Sequence, residues 1–207
     1  MKWSNIIPAV IVFLTAFLLP FIFSKRKKES ANKIKNYSQD LRGIGIDFEK
    51  IEKDDERIHF IKKLSWGQKA EGIFRLKKRN IDYIFLMSQT SQYGVNYFLE
   101  YIVRNTFNLR DESLKNTRMK LKKDSLVGRE TSDIIWKGDL YLSQKLNMDY
   151  ELKHKWLNSS LKELKMNLKI KPEEKFGYTR IKTNFVPPSQ DLISFIDSVA
   201  GHIKTGL

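Results

Sequence analysis

Three histidines, a spread of carboxylates and an excess of cations are the residues of this chain with chemical potential. His59, His154 and His202 fall in three separate segments expected to be helical, without the H-E-x-x-H spacing that sets two imidazoles on one helix face around zinc. Packing or surface roles account for them. Cysteine is absent, which excludes thiol catalysis and cysteine-ligated zinc or iron–sulfur sites. No G-x-x-x-x-G-K-[ST] loop cradles a phosphate and no G-x-S-x-G elbow presents a nucleophile. "GIG" at Gly43–Gly45 lacks the third glycine and the preceding strand of a dinucleotide fingerprint. In "EKDDER" the adjacent Asp54 and Asp55 would point in different directions on a helix, which suits a solvated face better than an acid/base pair. Asp133, Asp139 and Asp149 flank turns, where capping explains them. No catalytic, metal-binding or cofactor-binding residue is assigned, and no cofactor is expected.

The cations are the remaining signal. The chain of 207 residues has 38 Lys+Arg against 24 Asp+Glu. Residues 1–43 hold 8 cations and 2 anions, leaving 30 and 22 for residues 44–207, so the excess is not confined to the N-terminus. Two clusters form a candidate basic surface. One is "RLKKR", with Arg75, Lys77, Lys78 and Arg79. The other lies between Arg104 and Lys123 and includes Arg118, Lys120, Lys122 and Lys123. Solvated lysine is the plain reading of such clusters. Apposition to anionic lipid headgroups comes next, at about 1 kcal/mol per cation near the surface. A nucleic-acid surface, with Tyr93, Tyr97 and Tyr101 as stacking groups, comes third, because no recognition motif accompanies it.

The elements that position these residues begin with an apolar run. Trp3 to Phe23 contains no charge and as a helix spans about 31 Å, the thickness of a hydrocarbon core. No small-residue cleavage site follows it, so an uncleaved anchor is expected rather than a signal peptide. Lys25, Arg26, Lys27 and Lys28 follow the run and orient it, with the N-terminus outside and the C-terminal part cytoplasmic. The expected organisation is a transmembrane anchor over residues 1–24, a basic juxtamembrane linker over 25–46 and one soluble domain over 47–207. Gly43 and Gly45 break linker from domain.

Within the domain, Asp47 is expected to cap an amphipathic helix ending near "SWG". "GIFRLKK", "IDYIFLMS" and "YGVNYFLEYIV" read as an antiparallel three-strand meander with turns at Arg79-Asn80 and at Tyr93-Gly94. In the third run Val95, Tyr97, Leu99, Tyr101 and Val103 share one face. Residues 104–132 give no clear period. "DIIWKGD" reads as a strand into a turn, and "DLYLSQKLN" and "DYELKHKWLNSSLKELKM" as helices, the latter capped by Asp149. "NLKIKP" and "YTRIKTNF" read as a second strand pair. Ser189 opens a last helix with Leu192, Ile193, Ile196, Val199, Ala200 and Ile203 on its buried side. Grouped rather than alternating elements define an α+β class.

From Gly72 onward, "GIFRLKK" leading to "IDYIFL" and a closing helix "LISFIDSVAGHI" resemble uncharacterised membrane-anchored α+β proteins of prokaryotes. The resemblance is one of element order and apolar spacing. It supports the fold only and implies no activity. The function expected is a non-enzymatic, single-pass domain holding a protein partner, or itself, at the cytoplasmic face of the membrane. The alternatives are a membrane-tethered nucleic-acid-binding domain and an enzyme with an unrecognised carboxylate site.

Overall fold

The computed structural model describes residues 28–61, 67–104, 115–123, 131–164 and 166–205. The apolar run, with Lys25, Arg26 and Lys27 after it, lies outside the described residues. No helix among the described residues is long and apolar enough to cross a membrane.

The chain is α+β, built on one eight-stranded antiparallel sheet with four α-helices among the described residues. Helix α1 covers residues 28–43. Strands β1 (Phe48–Ile51), β2 (Gln68–Leu76), β3 (Tyr83–Ser91) and β4 (Gly94–Arg104) form a continuous meander. Then come β5 (Thr117–Lys123), β6 (Thr131–Lys137), α2 (Leu140–Met148), α3 (Tyr150–Leu157), β7 (Lys169–Glu173), β8 (Tyr178–Asn184) and α4 (Gln190–Lys204). The sheet order is β1-β2-β3-β4-β8-β7-β5-β6. The late β7–β8 pair therefore inserts between the meander and the β5–β6 hairpin.

Two expectations are corrected. Residues 28–43, expected within a linker, are helical, and Tyr37 and Leu41 are fully buried in the core. Ile34, Tyr37 and Leu41 recur at helical spacing, so α1 presents an apolar stripe to the sheet. The Gly43–Gly45 break is real, but it ends this helix. Ile46 N–H donates to Leu41 O and Gly45 N–H to Arg42 O, with Gly45 at φ +74°. This is the left-handed helix stop that glycine favours, and Leu41 and Ile46 join the same core cluster beside it. The second correction concerns residues 47–61. The expected helix is instead β1 followed by an irregular segment with a 3-10 turn at Glu56–Ile58. Phe48 and Ile51, three apart, fit a helical stripe and a four-residue strand equally. Pairing with β2, Phe48 opposite Leu76 and Ile51 opposite Ile73, decides the outcome.

Most remaining elements follow the sequence pattern, but the helix expected over residues 149–166 ends at Leu157 and is followed by a 3-10 turn at Ser160–Glu163, and β5 arises within residues 104–132, which showed no clear period. Asp139, Asp149 and Ser189 cap α2, α3 and α4 by accepting from the N–H groups of Leu142, Leu152 and Leu192. The principal core lies between the sheet and the helices, with Trp136, Trp156, Phe195 and Ile196 at most 1 % exposed. α4 is tied to the β2–β3 turn by Asp197, which accepts from the backbone N–H groups of Asn80 and Ile81 at 2.7 and 3.1 Å. Gly138 joins β6 to α2 at φ +144°, where a Cβ would lie 2.0 Å from Asn116 O. Only glycine allows the β5 and β6 chains to pass this closely.

Candidate functional site

Alternation along each strand sorts the side chains between two faces. The helix face takes Leu99, Tyr101 and Val103 of β4, Met119 of β5, Ile134 and Trp136 of β6, Ile170 of β7 and Ile181 of β8. The other face can be read across one hydrogen-bonded row. Ile51, Ile73, Phe85, Glu100, Lys182, Lys169, Arg118 and Lys137 are successive partners from β1 to β6. One half of the row is apolar and the other basic.

The apolar half is covered. Ile58, Phe60 and Ile61 of the irregular segment pack on a second cluster containing Ile51, Ile73, Tyr83, Phe85, Met87 and Ile102. Phe60 reaches Tyr83 and Tyr178, with ring centroids 6.0 and 5.7 Å apart. Arg104 lies over the Phe60 ring.

A polar seam ends this cover. Arg180 donates to Glu100 at 2.8 Å and to the Tyr178 hydroxyl at 2.9 Å, and stands 4.0 Å from Glu173. Glu173 in turn pairs with Lys171. Both carboxylates are buried, so their charge is matched locally rather than by water. The Lys182 ammonium lies 3.7 Å from the Phe98 ring centroid. Burial, together with the nearby Arg180 and Lys169, holds its pKa below the ordinary lysine value, against the pull of Glu100.

Beyond the seam the face is open among the described residues. Arg118, Lys120, Lys122, Lys137, Lys169 and Lys171 are all exposed there, with Ile135 half-buried between them. Arg118 stands opposite both Lys137 and Lys169, and Lys169 opposite Lys182. Directly opposed like charges destabilise a sheet, so this arrangement costs stability. The nearest anion on β6 is Asp133, opposite Lys122, and it is shared with Lys153 at 3.6 Å.

The two sequence clusters do not meet. Arg75, Lys77, Lys78 and Arg79 lie at the end of β2 and its turn, near the opposite sheet edge. There Glu49 stands 3.9 Å from Arg75 and Asp47 3.5 Å from Lys77. Arg118, Lys120 and Lys122 instead join Lys169 and Lys171, which the sequence reading did not single out. The signal was present: "LKIKP" and "RIKTN" alternate cation with apolar residue, which puts the cations on one face of a strand. Pairing of β7 with β5 was not readable from that. Lys123 closes β5 opposite Thr131.

The proposed aromatic partners lie elsewhere. Tyr101 is fully buried on the helix face, and burial pushes its hydroxyl pKa well up. Tyr97 sits under the Lys33 ammonium, and Tyr93 is exposed on the β3–β4 turn. The histidines are also dispersed. His202 pairs with Asp149, His154 with Asn158, and His59 follows the 3-10 turn. The described residues contain no group of three or more His, Asp or Glu placed to hold a metal ion. Asp55 accepts from the side chain and backbone N–H of Arg57, which also binds Glu49. These bonds hold the Asp55 carboxyl down at about 2, so it serves as an ion-pair partner.

Both outer strands are poor templates for a further strand. β1 is four residues long. On β6, Asn147 of α2 donates to Trp136 O and accepts from Trp136 N–H at 3.0 and 2.8 Å, occupying the edge hydrogen bonds. A macromolecule meeting this end of the sheet is therefore offered the basic face rather than an edge. No protein-family model, curated protein or solved structure matches the chain, and the resemblance drawn above rests on element order and apolar spacing alone.

Proposed function

We propose that the protein is a single-pass, membrane-anchored, non-enzymatic docking domain that holds an acidic protein partner at the cytoplasmic face of the membrane. The observation that carries this reading is the half of the sheet left open among the described residues, where Arg118, Lys120, Lys122, Lys137, Lys169 and Lys171, the last also paired with Glu173, share one face. Opposed cations across neighbouring strands cost folding energy, and an acidic counterpart would return it on binding. The anchor is residues 1–24, with Lys25, Arg26, Lys27 and Lys28 orienting it. α1, which follows the anchor, packs on the helix side of the sheet. The tether thus approaches from one face and the cationic half looks out from the other, which favours a protein partner over the bilayer for that half.

Nucleic acid is the second reading, favoured by the same cations. Phosphate contacts need only cations, whereas base stacking needs accessible rings. Phe98 and Tyr178 of this face are buried, so stacking is not supported.

The test is capture from the protein's own membranes with wild type and with the combined reversal Arg118→Glu, Lys120→Glu and Lys169→Glu. Loss of the captured protein on reversal, with unchanged membrane retention, supports the reading. Equal capture by both removes the sheet face from it. Loss of a co-purified polynucleotide instead, with salt-dependent binding, selects the second reading.

A further inference from the structure

A groove of about 550 Å³ lies on the helix side of the sheet, far from the cationic half. Its walls come from the first turns of the described α1 (Ser30, Ala31, Ile34), from Lys53 of the irregular segment, and from the β2–β3–β4 end of the meander (Lys69, Glu71, Ser88, Val95). Polar and apolar groups are segregated within it. Ala31, Ile34 and Val95 supply an apolar wall. Glu71 is a neutralised floor: its carboxylate accepts from Ser30 at 2.8 Å and Ser88 at 2.7 Å and pairs with Lys69 at 2.9 Å. Lys53 is an exposed cation of the lining, within electrostatic reach of Glu71 and Glu52. Burial and the proximity of Lys69 outweigh the pull of Glu71 and Glu52 and lower its pKa, so a further anion beside it would favour its charged form.

The groove's position identifies the occupant. Four residues, 24–27, separate Phe23 at the end of the expected span from residue 28 of α1. Fully extended, the five steps from Phe23 to residue 28 reach at most about 18 Å. The first turns of α1, and the groove they line, are therefore kept within about 18 Å of the hydrocarbon core, beside the headgroup layer, if the anchor is in the membrane. We propose that this groove binds the headgroup of an anionic membrane phospholipid, with its phosphate on Lys53 and Lys69 and its glycerol and first acyl carbons against Ala31, Ile34 and Val95. The inference rests on the anchored reading and adds a specific lipid subsite to it. An apolar wall beside paired ammonium groups fits an amphiphile better than a free phosphate.

The experiment uses the full chain in nonionic detergent, titrated with phosphatidylglycerol and read by native mass spectrometry. One bound phosphatidylglycerol per chain is expected, at least tenfold tighter than phosphatidylcholine. Lys53→Glu, which reverses one of the two cations of the groove, and Ala31→Trp, which fills it, are each expected to weaken it at least tenfold. Both positions are exposed, and thermal melts matching wild type would show that folding is retained. Lys120→Glu, on the cationic sheet face, is expected to leave the adduct unchanged. Wild-type binding by both groove variants, or an equal loss in Lys120→Glu, would overturn the proposal. Displacement by inorganic phosphate at the lipid's own concentration would also overturn it, identifying a small-anion site. Failure of the anchored reading is seen separately, as a chain that alkaline carbonate releases from membranes.

Discussion

The two halves of one sheet face obey the same alternation and end in opposite states. On the β1–β4 side, Ile73 and Phe85 are at most 4 % exposed beneath Phe60 and Ile61. In the same row on the β7–β5–β6 side, Lys169, Arg118 and Lys137 face outward with no cover among the described residues. Period-two patterning fixes which side chains share a face, and only the neighbouring segment decides whether that face becomes core. Between the halves, the Glu100–Arg180–Glu173 seam lets a buried apolar cluster end without leaving a charge unpaired. A stable domain can thus carry a repulsive cationic surface on the strength of its other half.

Breaking the covered half should cost most. Phe85→Ala is expected to destabilise the protein by about 3–5 kcal/mol through lost burial and a residual cavity. Lys169→Ala, in the same row, should move stability by less than about 0.5 kcal/mol. Chemical denaturation of the two variants checks the contrast, and similar shifts would mean that the halves are not distinct. Ile196→Asp, on the helix face, should also abolish cooperative unfolding, because a buried carboxylate there would have no partner.

The seam comes next. Glu100→Ala would leave Arg180 buried with the Tyr178 hydroxyl and, at 4.0 Å, the Glu173 carboxylate, at a cost of about 3 kcal/mol. Restoring much of that loss with Arg180→Met in the same chain would show that the penalty is the orphaned charge, as a double-mutant cycle can measure.

A smaller effect belongs to Asp149, which caps α3 and pairs with His202 of α4. Asp149→Ala should cost about 1 kcal/mol. Burial raises the Asp149 pKa, but acceptance from Leu152 N–H and the His202 pairing outweigh it, so the net shift is downward. Its stabilisation is therefore complete above the unfolded carboxyl's value of about 3.8 and is lost as pH falls through the lower folded value. Denaturation midpoints between pH 5 and pH 2 should drop more for wild type than for Asp149→Asn. The smallest effect is expected on the open half, where Arg118→Gln should leave stability unchanged or slightly raised by relieving repulsion from Lys137 and Lys169.

These contrasts also show how far the sequence could be read. The meander, the capped helices and the α4 stripe were legible because each is a local pattern: Ser189 before an apolar period, Tyr93-Gly94 between alternating runs. Helix α1 was hidden by its polar residues, although Ile34, Tyr37 and Leu41 carried its period. Residues 47–61 misled because spacings of three among Phe48, Ile51, Ile58 and Ile61 suit a helix, while the observed cover over β1–β4 depends on contacts with distant strands. The candidate site was legible only in part. Arg118, Lys120 and Lys122 were visible, but their joining to Lys169 and Lys171 required a strand order that inserts β7–β8 between β4 and β5, and long-range pairing leaves no local mark.

The most direct test of the account places a photo-crosslinking residue at Ile135, in the middle of the open half, in the full chain within its own membranes. The account predicts a crosslinked acidic protein that disappears when Arg118, Lys120 and Lys169 are changed to glutamate, with the chain still resisting carbonate extraction. A crosslink that persists unchanged after the reversal would contradict it.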